Sequence, residues 1–158
     1  LVIVFFIFVF CVSIDFLRLK NKKIKALYNF FFSNVTRPIE QETLTGASYC
    51  LFSIVVLLYF FPVQIIMISL TICAISDTAA AIIGLKYGKI TLKNKSLEGS
   101  LAFFVSSFTI CYLIFDLNYI LSISTALLSA MIELFTPWKI NDNVSVPILT
   151  AIYLSIFI

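Results

Sequence analysis

Asp77 stands inside a long apolar run and is followed by Thr78, Ala79, Ala80 and Ala81. The run ends in Gly84, Lys86, Gly88 and Lys89, and then comes Lys95-Ser96-Leu97-Glu98-Gly99-Ser100. A carboxylate held in hydrocarbon costs ~2.5–3.5 kcal/mol on insertion scales. A chain that keeps one there has a use for it, and the neighbouring lysines point to phosphate. Two further acids follow, Glu133 near the end of an apolar stretch and Asp142 beside Asn143. Glu133 and Asp142 are hard oxygen donors of the kind Mg²⁺ prefers, and Asn143 adds a neutral one. Mg²⁺ takes one or two carboxylates and completes its shell with water and phosphate oxygens. Asp77, Glu98, Glu133 and Asp142 therefore exceed what a single ion requires. Histidine is absent from the sequence, which excludes a histidine base or ligand within it.

The phosphate side of this chemistry is read from the second block. Ser96 has the side chain of a helix cap, and Glu98 suits a first helical turn. Free N–H groups at such an N-terminus attract anions. Lys93 and Lys95 precede it, and Gly84-x-x-x-Gly88 with Lys86 and Lys89 forms the other rim of the same connection. Lys86, Lys89, Lys93, Lys95, Ser96, Gly99 and Ser100 are the candidate nucleotide-binding residues. No Walker-type or G-x-G-x-x-G pattern is present, which excludes a P-loop or Rossmann protein. Each feature also has a plainer reading. Asp77 could be a polar contact joining two helices, and Thr78, Ala79, Ala80, Ala81, Gly84 and Gly88 a small-residue stripe for close helix packing. Asp142-Asn143 could be a turn that caps the last helix.

These residues must be positioned by membrane helices. The 158 residues are 61% hydrophobic and 12% charged, with mean hydropathy +1.09. A soluble domain carries roughly 25% charged residues. Apolar windows predict an all-α, polytopic helical bundle of about six membrane segments. The segments are Leu1 to about Leu17, Leu44–Phe61, Val63–Leu85, Leu97–Phe115, Tyr119–Phe135 and Val144–Ile158. Pro62, Asp116-Leu117-Asn118 and Pro137-Trp138-Lys139 mark turns between them. Arg18, Lys20, Lys22, Lys23, Lys25, Arg37, Lys86, Lys89, Lys93, Lys95 and Lys139 all fall in alternate connections. The positive-inside rule makes that face cytoplasmic. Ile24, Leu27, Tyr28, Phe31 and Phe32 recur at helical spacing beside the first lysines, which predicts a short interfacial amphipathic helix. Cys11, Cys50, Cys73 and Cys111 lie in apolar segments and read as small packing residues. The sequence opens on Leu1, and its first apolar run is short for a span. It reads as the tail of a spanning helix, within a single integral-membrane domain over residues 1–158 that is truncated at its N-terminus. A signal peptide fits less well, because no basic stretch precedes the run and no small-residue cleavage site follows it.

The blocks Asp77-Thr78-Ala79-Ala80-Ala81-Ile82-Ile83-Gly84, Lys86-Tyr87-Gly88-Lys89 and Lys95-Ser96-Leu97-Glu98-Gly99-Ser100 resemble those of the CTP-dependent lipid kinases. That family groups dolichol kinase, phytol kinase and the CTP-using diacylglycerol kinase, and is related to the phosphatidate cytidylyltransferases. The likeness extends to Asp15-Phe16-Leu17-Arg18, Arg37-Pro38-Ile39-Glu40 with Thr45-Gly46-Ala47, and Glu133 followed by Asp142-Asn143 and Pro147. The chain has Ser76-Asp77 where the family commonly has Gly-Asp, and it lacks the family's basic, histidine-bearing stretch before the first segment. The resemblance implies phosphoryl transfer from CTP to the hydroxyl of a lipid alcohol, aided by Mg²⁺. It implies a metal held by Asp77 with Glu133, Asp142 and Asn143, and phosphate charge offset by the lysines. Glu98 or Asp77 would accept the hydroxyl proton. The expected partners are CTP and a membrane lipid, with no nucleic acid. A cytidylyltransferase acting on phosphatidate would use the same kind of site. A small ion-coupled transporter, with Asp77 and Glu133 binding cations, is the non-enzymatic alternative.

Overall fold

A computed structural model describes residues 1–32, 38–92, 95–135 and 141–158. Arg37, Lys93, Pro137, Trp138 and Lys139 lie outside the described residues. The protein is all-α, with seven helices among the described residues and one hairpin of two-residue strands. The chain divides into two compact units, Leu1–Tyr59 and Phe60–Ile158.

In the first unit, α1 (Val2–Lys20) is apolar along nearly its whole length, yet its buried residues are Asp15 and Arg18. This is the arrangement lipid imposes: apolar side chains can face hydrocarbon, while charges need partners inside the protein. Asn21 is extended (φ −122°, ψ 115°) and ends α1, and its Oδ1 accepts from Lys23 N at 2.9 Å at the start of α2 (Lys22–Phe32). The expected amphipathic segment is thus a separate helix, and none of its residues is buried. A 3-10 turn (Pro38–Gln41) leads to α3 (Gly46–Phe60), and Phe8 of α1 meets Phe52 of α3 with ring centroids 5.9 Å apart.

The first helix wholly within the second unit follows Pro62: α4 (Val63–Tyr87), a rod of 25 residues. A π-helical turn, Ile72–Ser76, interrupts α4 immediately before Asp77. A short antiparallel hairpin pairs Thr91 with Ser96 and Leu92 with Lys95, an element the hydropathy pattern does not predict. α5 (Leu97–Ile114) also ends in a π turn, and the chain reverses at Asp116, whose φ of 51° is tolerable for an aspartate. Asn118 Oδ1 then accepts from Leu121 N at 2.8 Å in the first turn of α6 (Tyr119–Phe135). α7 (Asp142–Leu154) contains the buried Pro147. α4 packs on α5, α5 on α6, α6 on α7, and α7 back on the first half of α4, which closes a four-helix ring. Ile68, Ile72, Phe103, Cys111, Ala126 and Ala151 fill its centre. Hydroxyls are buried there as well, and Ser107 Oγ donates to Ser76 Oγ at 2.9 Å between α5 and α4. All four cysteines are free thiols.

The six expected apolar segments are all helical. Three of them, α1, α4 and α5, are long and apolar enough to cross a membrane. α3 and α6 are apolar but shorter. The 15 residues of α3 rise about 22 Å, against a hydrocarbon core of ~30 Å.

Candidate functional site

Glycine decides how closely the two halves of the main sequence block approach. A Cβ added at Gly84 would lie 2.8 Å from Ser96 Oγ, and one at Gly99 would lie 2.9 Å from the Ala80 carbonyl oxygen. Only hydrogen fits at these points, so the small-residue stripe does bring α4 and α5 together. Ser96 is the N-cap of α5, and its Oγ accepts from Gly99 N at 3.1 Å. The strand that carries Ser96 also carries Lys95 and directs it toward α6 and α7.

Lys95 is the centre of the site. Its Nζ lies 2.7 Å from Glu133 Oε1 and 3.1 Å from Asp142 Oδ2, and it donates to the Glu133 carbonyl at 2.9 Å. An ammonium has three donors, and these three acceptors engage them all. Ser100 Oγ, on the first turns of α5, donates to Glu133 Oε2 at 3.3 Å. Four elements thus meet around the Lys95–Glu133 pair: the hairpin, α5, the end of α6 and the start of α7. The Glu133 side chain is 6% exposed, whereas those of Lys95 and Asp142 are 27% and 24% exposed. The acid is the floor of the cluster and the other two form its rim. Burial alone would lower the Lys95 pKa. The hydrogen bond and charge of Glu133, with the charge of Asp142, outweigh that and raise it above the ordinary lysine value.

The other expected residues fall elsewhere. Asp77 is half-buried on α4, at the joint where the π turn gives way to α-helix, a place where functional residues often sit. Among the described residues, no three acidic, cysteine or histidine side chains gather closely enough to hold a metal ion. Of the expected set of Asp77, Glu133, Asp142 and Asn143, Glu133 and Asp142 converge on the Lys95 ammonium, while Asp77 lies on α4 and Asn143 in the first turn of α7. A site built from two carboxylates still fits Mg²⁺ chemistry, because phosphate and water supply most of its ligands. Glu98 turns toward the loop that precedes it, and its Oε1 accepts from Lys89 N at 3.1 Å and Ile90 N at 3.3 Å. Its observed contacts hold the loop in place. Lys86 and Lys89 are exposed, and Lys86 Nζ lies 5.2 Å from the Tyr87 ring centre. Asn141, one residue before the expected position, caps α7: its side chain accepts from Asn143 N at 3.0 Å. Lys93 lies outside the described residues.

A second polar cluster, in the first unit, joins two stretches of the family likeness, Asp15-Phe16-Leu17-Arg18 and Thr45-Gly46-Ala47, for which the sequence suggests no role. Asp15 Oδ1 accepts from Arg18 Nε at 2.9 Å. Asp15 Oδ2 accepts from Thr45 N at 2.8 Å, Thr45 Oγ1 at 2.9 Å and Ser48 Oγ at 2.7 Å. Arg18 Nη2 donates to the Thr43 carbonyl at 2.6 Å, and the Tyr28 ring lies over the guanidinium at 4.8 Å. Acid and base three residues apart in an apolar helix is the signal in the sequence. Thr45 and Ser48 are ordinary cap residues whose long-range partner no spacing reveals.

The chain is 30% identical over 153 residues to an uncharacterised protein of Rickettsia prowazekii, covering 91% of this chain and 75% of that protein. It is 27% identical over 155 residues to CTP-dependent diacylglycerol kinase 1 of Schizosaccharomyces pombe, covering 87% of this chain and 71% of the kinase. It is 39% identical over 84 residues to the dolichol kinase of Saccharomyces cerevisiae, which covers 46% of this chain and 16% of that enzyme. No family model and no solved structure matches the chain.

Proposed function

Because the chain belongs to the CTP-dependent lipid kinase family, we propose that it transfers the terminal phosphoryl group of CTP to the hydroxyl of a membrane lipid alcohol. The observation that carries this reading is the convergence of Lys95, Ser100, Glu133 and Asp142 beside the glycine-packed start of α5. Phosphoryl transfer demands alignment and charge neutralisation more than covalent help from the protein. A cluster of one ammonium and two carboxylates supplies alignment, and a divalent ion held by those acids would supply the neutralisation.

In this reading Glu133 and Asp142, with Asp77 and Asn143 contributing from their own helices, are the Mg²⁺-binding groups. When bound, the ion would supply Lewis-acid neutralisation of the phosphate charge. All three donors of Lys95 are engaged by protein oxygens, so Lys95 reaches a phosphate by exchanging its carboxylate partners for the nucleotide. Ser96, Gly99 and Ser100 at the α5 N-terminus, with Lys86, Lys89 and Lys93, hold the remaining phosphate charge. The lipid oxygen attacks the terminal phosphorus, the bond to CDP breaks, and the hydroxyl proton passes to Asp77 or Glu98. Polyprenol, phytol and diacylglycerol are the candidate acceptors. The six apolar helices act as spans, with the basic connections and the site on the cytoplasmic face.

The test is labelled CTP with each lipid alcohol and full-length protein in bilayers. Lipid phosphate formed together with CDP is the expected result, and it is lost in Lys95→Met. Absence of labelled lipid with every acceptor overturns the kinase reading. Release of pyrophosphate with phosphatidate would replace it with a cytidylyltransferase.

A further inference from the structure

Arg18 is fully buried, but its hydrogen bonding is incomplete. Nε and Nη2 are paired with Asp15 and Thr43, while Nη1 is buried with no hydrogen-bond partner among the described residues. Folded proteins rarely leave a charged donor in that condition. What lies over the guanidinium is the Tyr28 ring of α2, and α2 buries none of its own residues. The cover is therefore lightly held.

The surroundings define what would complete the arginine. From Phe16 to Ile39 the sequence carries Arg18, Lys20, Lys22, Lys23, Lys25 and Arg37 and no acid. Asp15, the acid just before this stretch, is already engaged by Arg18, Thr45 and Ser48. Lys20, Lys22 and Lys23 are exposed, and α2 also exposes Leu27, Phe30 and Phe31. Cations and bare aromatic surface on one short helix match a molecule with an anionic head and hydrocarbon chains. A planar guanidinium with a spare N–H suits a phosphate oxygen.

We propose that the corner between α1 and α2 binds one anionic phospholipid. A phosphate oxygen accepts from Arg18 Nη1, the lysines of α2 select for net negative charge, and the acyl chains lie along the exposed side chains of α2. Rocking of α2 lifts Tyr28 and admits the headgroup. This site uses residues of the first unit alone and does not rest on the kinase reading.

The experiment uses full-length protein in phosphatidylcholine nanodiscs with and without phosphatidylglycerol. Within residues 1–158 guanidinium NMR has to separate Arg18 from Arg37, and the resonance absent from Arg18→Lys assigns Arg18. The Arg18 Nη resonance should shift on adding phosphatidylglycerol and stay in place with inorganic phosphate alone. Native mass spectrometry should find phosphatidylglycerol retained selectively by the wild type, several-fold less by Lys22→Gln/Lys23→Gln/Lys25→Gln, and not by Arg18→Lys. An Arg18 resonance unmoved by phosphatidylglycerol overturns the proposal. An equal shift with inorganic phosphate overturns it in favour of a free-anion site. The NMR arm reads the wild-type side chain, so misfolding of Arg18→Lys does not blunt the test.

Discussion

The protein contains two ion clusters built from the same chemistry and finished in opposite ways. Around Asp15, every bond is made deep inside the first unit: a backbone N–H, two hydroxyls and a guanidinium share one carboxylate, which is 2% exposed. Around Glu133, the cation and one of the two acids reach the surface. A buried carboxylate whose acceptor sites are all taken is a structural clasp, because removing it leaves the Arg18 charge without its partner. A cluster with an open rim can trade partners at low cost, because solvent screens what it releases. Burial, more than residue type, separates the joint from the proposed site.

Removing a charge from each cluster should expose that contrast. The largest effect is expected at Asp15→Ala, which strands the buried Arg18 and should cost about 3–5 kcal/mol. Denaturant unfolding in detergent, or loss of folded protein on expression, would register it, and a wild-type unfolding curve would defeat the clasp assignment. Glu133→Gln keeps shape and one acceptor, so its signature should be functional: a fall in phosphoryl transfer of roughly 10²–10³-fold, the scale of losing one preorganised electrostatic partner. If the midpoint of unfolding falls as far as for Asp15→Ala, the two clusters are alike and the comparison fails. Gly99→Ala comes next. Its methyl must fit against the Ala80 carbonyl oxygen at 2.9 Å, so separation of α4 and α5 should cost ~1–3 kcal/mol. That loss should appear in both stability and activity.

The smallest effect concerns pH. The folded pKa of Lys95 is raised, so its contribution to stability is fully present below the ordinary lysine pKa and is lost only as pH rises through the higher folded value. The difference in melting temperature between wild type and Lys95→Met should therefore be the same at neutral and at mildly alkaline pH. A difference that shrinks within that range would show that the acids do not hold the ammonium as described.

Hydropathy made the helices legible because lipid enforces it locally. Tyr119–Phe135 begins and ends where its apolar run does, and α4 and α5 start at the predicted Val63 and Leu97. Ser96 was readable as a cap because that bond closes within three residues. Glu98 was not readable in the same way. A first-turn acid looks alike whether it faces a ligand or, as here, the backbone of Lys89 and Ile90. The pairing of Lys95 with Glu133 and Asp142 spans 38 and 47 residues, and no periodicity encodes it. The long-range bonds of Asp15 were hidden for another reason. Its partners Thr45 and Ser48 are ordinary at the start of a helix, and only folding shows that they serve a distant acid.

The wide turn at Ile72–Ser76 fixes an angular phase along α4. Each residue of an α-helix advances the side-chain direction by about 100°. A π turn holds one residue more than the α-helical turn it replaces. Deleting a single residue from it would close it to α-helix and leave Asp77, Ala80 and Gly84 at nearly the same angle to Ile65 and Ile68. A deletion between Asp77 and Gly84 has no such slack and would turn the glycine notch away from Gly99, so one lost codon should do far more harm there than in the turn.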